Sequence, residues 1–128
     1  MDRHQYAQLA GFSLQSVDFA DLIGDGKEEA IVVLLYRTGG TQNTHYVYIY
    51  ALDNGNPKLL AYCHTGDRAY SGLSKVYGER GKLVFELFDP DMRQADCCSS
   101  GIVRTRFIWS NGRFVIRGKV EREELKQP

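Results

Sequence analysis

Seven consecutive residues, Ala30-Ile31-Val32-Val33-Leu34-Leu35-Tyr36, are apolar. Successive side chains of a strand point to opposite faces, so a run of this kind leaves neither face for water. It predicts a central strand in a sheet that a second layer must cover. The segment Thr44 to Leu52 alternates instead, with Tyr46, Tyr48 and Tyr50 on one face and His45, Val47, Ile49 and Ala51 on the other. Both patterns have the period of strands, and the same reading runs along most of the chain.

Strands are expected at Leu14 to Phe19, Glu29 to Arg37, Thr44 to Leu52, Lys58 to Cys63, Gly72 to Tyr77, Lys82 to Phe88, Ile102 to Ser110 and Arg113 to Val120. Asp53-Asn54-Gly55, Glu79-Arg80-Gly81 and Asn111-Gly112 supply residues that tolerate positive φ, which makes the neighbours they join antiparallel. Asp2 to Ala10 is read as a short helix and Glu121 to Lys126 as a fraying one. The fold class is mostly β, with α+β as the alternative: one domain over 1–128, an antiparallel sheet or sandwich of about eight strands with a short N-terminal helix. The 43% hydrophobic and 25% charged fractions suit such a domain.

Sixteen basic and sixteen acidic residues cancel. No whole-protein field draws nucleic acid or an anionic membrane, and any electrostatic recognition has to be local. No apolar run approaches a membrane span. The opening Met1-Asp2-Arg3-His4-Gln5 lacks the basic and hydrophobic stretches of a secretory signal. The expected compartment is periplasmic or extracellular for a trimmed mature segment, and cytoplasmic otherwise.

The loop before the apolar strand, Asp21-Leu22-Ile23-Gly24-Asp25-Gly26-Lys27-Glu28-Glu29, places carboxylates at its first, fifth and ninth positions and glycine at the sixth. This is the spacing by which a loop wraps oxygens around calcium, with Asp21, Asp25 and Glu29 as ligands and the Lys27 carbonyl at the seventh position. Ile23, at the third, offers no oxygen, so Asp18 or water would have to complete the shell. The other reading is a rigid connector in which Gly24 and Gly26 turn the chain while Asp21 and Asp25 bond nearby amides.

The words Asp21-Leu22-x-Gly24-Asp25-Gly26-x-Glu28-Glu29-Ala30-x-Val32 resemble the calcium-loop segment of FG-GAP and VCBS-type repeats, which sit on propeller blades of exported and adhesive proteins. The motif occurs once here, too seldom for a propeller. The wider pattern is similar to single-domain bacterial proteins of unknown function, often exported, in which Thr65-Gly66-Asp67-Arg68, Cys97-Cys98 and Arg104-Thr105-Arg106-Phe107 have counterparts. That resemblance implies no activity.

If Asn111-Gly112 is a two-residue turn, Trp109 pairs with Phe114, Ile108 with Val115, Phe107 with Ile116, Arg106 with Arg117, Thr105 with Gly118 and Arg104 with Lys119. Trp109, Phe107, Phe114 and Ile116 then form a core face, while Arg104, Arg106, Arg117 and Lys119 collect on the other with like charges opposed. From residue 101 to 122 six cations stand against Glu121 alone, an excess of 6 − 1 = +5. Two readings follow: internal compensation by Glu86 or by Asp89, Asp91 and Asp96, or an anion-binding site for a carboxylate, sulfated or phosphorylated partner.

Weaker constellations complete the reading. Cys63, Cys97 and Cys98 cannot all pair within one chain, and either a bridge or three reduced thiols is consistent with them. Cys63-His64 with Cys97-Cys98 matches no zinc spacing, and no local motif couples a thiol to His45 or His64. Tyr46, Tyr48 and Tyr50 form either a buried stripe or a platform for a sugar or peptide. No catalytic site emerges. The expected function is a non-enzymatic binding or interaction module for an unknown protein or anionic ligand; the alternatives are a calcium-stabilised structural module and an unrecognised hydrolase.

Overall fold

The computed structural model describes residues 11–37, 43–66, 72–92 and 100–125. Among these residues nine strands form two antiparallel sheets, and the helical content is one 3₁₀ turn, Pro90–Met92. The first sheet runs in sequence order: β1 (Phe12–Ala20), β2 (Glu29–Arg37), β3 (Asn43–Asp53) and β4 (Asn56–Thr65). The second follows as β5 (Leu73–Glu79), β6 (Lys82–Phe88), β7 (Gly101–Ser110) and β8 (Arg113–Ile116), with β9 (Glu121–Glu124) also paired to β7. The expected helix at Asp2 to Ala10 lies outside the described residues. The expected helix at Glu121 to Lys126 is a correction: its first four residues are strand β9.

Tight turns set the registers. Asn54-Gly55, Arg80-Gly81 and Asn111-Gly112 all have positive φ at both residues. That is the mirror-image turn whose twist matches right-handed strands. Each is flanked by a closing pair: Asp53 with Asn56, Glu79 with Lys82, and Ser110 with Arg113.

The core lies between the sheets. Ile31 and Val33 of β2 and Val47 and Ile49 of β3 face Leu73 of β5 and Leu83 of β6, with Leu22 from the acidic loop in the same cluster. Phe85, Phe107 and Phe114 pack against it from the second sheet. At the β4 and β8 side a gap of about 140 Å³ remains, walled by Val47, Ala61, Cys63, Phe85, Phe107 and Phe114 among others. The apolar strand is central as expected, but its two faces differ. Ile31 and Val33 are buried, whereas Ala30, Val32, Leu34 and Tyr36 are only half-buried on the outer face.

The C-terminal hairpin keeps its predicted register from Ser110 to Phe107, and the Arg117 amide still donates to the Arg106 carbonyl at 2.8 Å. There the ladder breaks. Gly118 turns with φ +80°, and β9 returns to the same edge of β7 with Arg104 opposite Glu121. Paired residue numbers sum to 107 + 116 = 223 before the break and 104 + 121 = 225 after it, a shift of two residues. The predicted pairs Thr105 with Gly118 and Arg104 with Lys119 therefore do not form. Side chains alternate with period two, so a shift of two preserves every face while replacing Lys119 by Glu121 across from Arg104. The slip exchanges a repulsive cross-strand pair for an attractive one.

Candidate functional site

The acidic loop is anchored at both ends. Leu22 is fully buried, and its amide donates to Glu29 Oε1 at 2.7 Å, tying the loop's start to the first residue of β2. Asp21 accepts from three amides, Ile23 and Gly24 on Oδ1 and Gly26 on Oδ2, and Asp25 accepts from Lys27. Those amides, Gly26 first, hold the Asp21 carboxyl below the ordinary carboxylate range. Glu29 moves the other way: burial pushes it up, and the charges of Asp25 and Asp21 add to this against the Leu22 amide. Asp21, Asp25 and Glu29 come together, with one oxygen of each within 4.8 Å of the others. Glu28, next in sequence, is exposed and points away. The donor set is hard oxygen, which suits calcium, and the raised Glu29 carboxyl is the group a cation would relieve. The same oxygens also carry out the connector role.

The four cations of the anion-site reading separate into two pairs. Arg104, its side chain 17% exposed, donates from Nε to Glu86 Oε2 at 3.0 Å and from its terminal nitrogens to Glu121 and Glu123. Arg106 pairs with Glu121 and with Glu79. Glu86 is buried and also accepts from the Tyr77 hydroxyl at 2.5 Å. Burial alone would push its carboxyl up, but Tyr77 and Arg104 outweigh that and hold it low. Arg117 and Lys119 sit exposed in the excursion between β8 and β9. On the inner side of β9, Arg122 Nη1 reaches the fully buried Asp89 at 2.6 Å and Asp91 at 3.3 Å. Glu86 thus holds one cation of the patch from within, as one sequence reading anticipated, whereas Asp89 and Asp91 hold Arg122 on the other side of β9; Asp96 lies outside the described residues. Sequence reasoning missed Glu121 and Glu123 as partners, because it took those residues for helix.

Among the described residues, Cys63 and His45 shift away from an activated thiol and imidazole pair. Cys63 is free, and burial pushes its thiol up. His45, on the same inner face, is pushed down by burial, its Nε2 lying 2.9 Å from Gln15 Oε1. An activated thiolate and imidazolium need the opposite shifts. His64 points outward and stacks on Tyr46. Cys97 and Cys98 lie outside the described residues. A groove of about 510 Å³ opens beside two β-bulges, at Gln15 in β1 and Ser74 in β5, and Glu86 lines it. A carboxylate held low by an arginine is poorly matched to general-base work near neutral pH.

The outer face of the first sheet is the most unusual surface among the described residues. Phe12, Leu14, Val17 and Phe19 of β1 lie opposite Tyr36, Leu34, Val32 and Ala30 of β2. These meet Thr44, Tyr46, Tyr48 and Tyr50 of β3, and Tyr46 and Tyr48 meet His64 and Tyr62 of β4. None of these positions is Asp, Glu, Lys or Arg, although a quarter of the chain is charged. The aromatic rings support one another: Phe12 lies 4.7 Å from Tyr36 and 5.3 Å from Tyr46, and Tyr48 is near-parallel to Tyr50 and Tyr62 at 6.4 and 5.9 Å. Leu14, Phe19 and Tyr62 are each more than 60% exposed. At one end Phe19, Glu28, Ala30, Tyr50, Leu52 and Pro57 wall a groove of about 440 Å³. Tyr46, Tyr48 and Tyr50 are half-buried, and among the described residues no second layer lies over them. Compared with known proteins, the chain matches no family model, no curated protein and no solved structure.

Proposed function

We propose that this chain is a non-enzymatic interaction module that engages its partner through the outer face of the first sheet. The observation that carries the reading is that the paired positions of this face hold no acidic or basic residue, Glu28 standing only at the end of the groove, while its rim residues Leu14, Phe19 and Tyr62 are open to water. Contiguous apolar surface of this kind is costly to leave bare and marks a contact site. The face replaces the Arg104 and Arg106 strand as the recognition surface, since those guanidinium groups already hold carboxylates of their own chain. An apolar reporter tests the reading. Anilinonaphthalene sulfonate should fluoresce with the dilute native protein, and Phe19→Ser with Leu52→Ser, which removes two walls of the groove, should lower the signal while the cooperative melt survives. A native protein that leaves the dye dark would remove the proposal.

A second reading rests on the convergence of Asp21, Asp25 and Glu29: the loop holds calcium and stiffens the start of β2. A ligand bound only by the folded state raises the melting midpoint by mass action. Equal midpoints in millimolar calcium and in chelator would dispose of it.

A further inference from the structure

Resting on the reading of the outer face as a contact surface, we infer that its occupant is a second copy of this chain, the two faces packing about a two-fold axis. Two features of the face select this partner. The first is area. Four strands about 4.8 Å apart, each about nine residues long at about 3.3 Å per residue, give a face of roughly 19 by 30 Å, or about 600 Å² in projection. Side-chain relief enlarges that figure toward the about 800 Å² per partner of a stable interface, so one such face suffices without recruiting another surface.

The second is charge. In a two-fold contact a residue near the axis meets its own equivalent, so any ionised group there would oppose itself. The paired positions from β1 across to Tyr62 and His64 of β4 carry no Asp, Glu, Lys or Arg, and the one carboxylate that borders the face, Glu28, stands at its end beside the groove, away from the centre. A partner chosen by charge complementarity would find little to read, whereas a self-complementary contact needs this absence close to its axis. Phe12, Tyr46 and Tyr48 offer rings to interdigitate, and the tyrosines carry a polar hydroxyl on an apolar body. Two sheets in this arrangement would lie about 10 Å apart, the spacing of sheets stacked face to face.

The test combines sedimentation across micromolar to millimolar protein with hydroxyl-radical footprinting of Phe19, Tyr48 and Tyr62. The expected result is a mass that doubles with concentration, with the three rings losing reactivity together. Tyr48→Lys, which sets like charges near the axis, should weaken the dimer by roughly a hundredfold. Ile116→Lys, equally polar and 60% exposed on the other sheet, should leave it unchanged. A protein that stays monomeric with reactive rings overturns the second-copy assignment but leaves the contact face standing. Monomers with protected rings mean that the chain covers the face itself, and both readings fall. A dimer indifferent to Tyr48→Lys uses another surface and overturns the inference. Should Tyr48→Lys unfold, Tyr62→Lys, at a position already 64% exposed, gives the same comparison from the rim.

Discussion

Replacing Arg104 by methionine keeps much of the apolar stem and removes the guanidinium that faces a buried carboxylate. Glu86 is 6% exposed and would then keep a single hydrogen bond, from Tyr77. Breaking a buried ion pair by removing one member costs about 3–5 kcal/mol, because the other charge stays behind without compensation. The remaining Tyr77 hydroxyl places the loss near the lower end, about 3 kcal/mol. Glu121 and Glu123 add little, since side chains 47% and 56% exposed belong to the class of surface pairs worth about 0–1 kcal/mol. For a chain of this size such a loss lowers the melting midpoint by roughly 10 °C.

The pH dependence has a defined sign. In the native protein Glu86 is held below its ordinary value of 4.5, so its contribution is present above that value and lost as pH falls through the depressed one. In Arg104→Met the buried carboxyl instead rises, and protonating it relieves the variant. The gap between the two proteins should therefore narrow as the pH is lowered from neutral toward and below 4.5. Urea titrations at several pH values measure it, and Glu86→Gln with Arg104→Met closes a double-mutant cycle that should recover most of the loss. A loss below about 1 kcal/mol, independent of pH and not recovered in the double variant, would refute the assignment of Glu86 and Arg104 as a buried pair.

Other outcomes follow from the same geometry. Removing Lys119 and Val120 together should cost little, because the uninterrupted register then brings Glu121 opposite Arg104; removing Val120 alone turns the faces of β9 over and should cost more in a urea titration. Glu29→Gln should stabilise the protein in chelator: a carboxyl whose folded value is raised loses stability as pH rises through the unfolded and then the folded value, and the amide removes that slope. The same variant should respond less to calcium in a thermal melt. Ala61→Val, which adds two methyl groups to the gap of about 140 Å³, should raise stability by about 1 kcal/mol, read by chemical denaturation. Iodoacetamide should label the half-buried Cys63 more slowly in native protein than in urea.

The parts of this fold that were legible in the sequence are those governed by local chemistry. Asn-Gly and Arg-Gly pairs announce their turns because few other residues tolerate the required φ, and from each turn the alternation assigns inner and outer positions. That sufficed to separate Val47 and Ile49 from Tyr48 and Tyr50 and to turn Phe107 and Phe114 toward the core, though not to say which face of the tyrosine strand looks inward. It failed at Gly118, where an excursion of the chain depends on what lies across the ladder rather than on its own residues. Glu121-Arg122-Glu123-Glu124 has no apolar alternation and reads as helix; only Arg104 on one side and Asp89 on the other make it a strand. The carboxylate cluster at Asp21, Asp25 and Glu29 was visible from spacing. The half-buried outer face was not, because an apolar run says that a strand is to be covered on both sides without saying what supplies the second cover.

Each sheet is drawn from an unbroken half of the sequence, the first complete by Thr65 and the second beginning at Leu73. During synthesis the leading half can therefore pair all four of its strands before its companion leaves the ribosome. Until then it is a lone ribbon greasy on both sides, with Ile31 and Val47 bare on one and Phe19 and Tyr62 on the other. Nascent chains of this description are substrates for chaperones and prone to clump. The delay between the two halves is thus the interval in which this molecule is most exposed to misassembly.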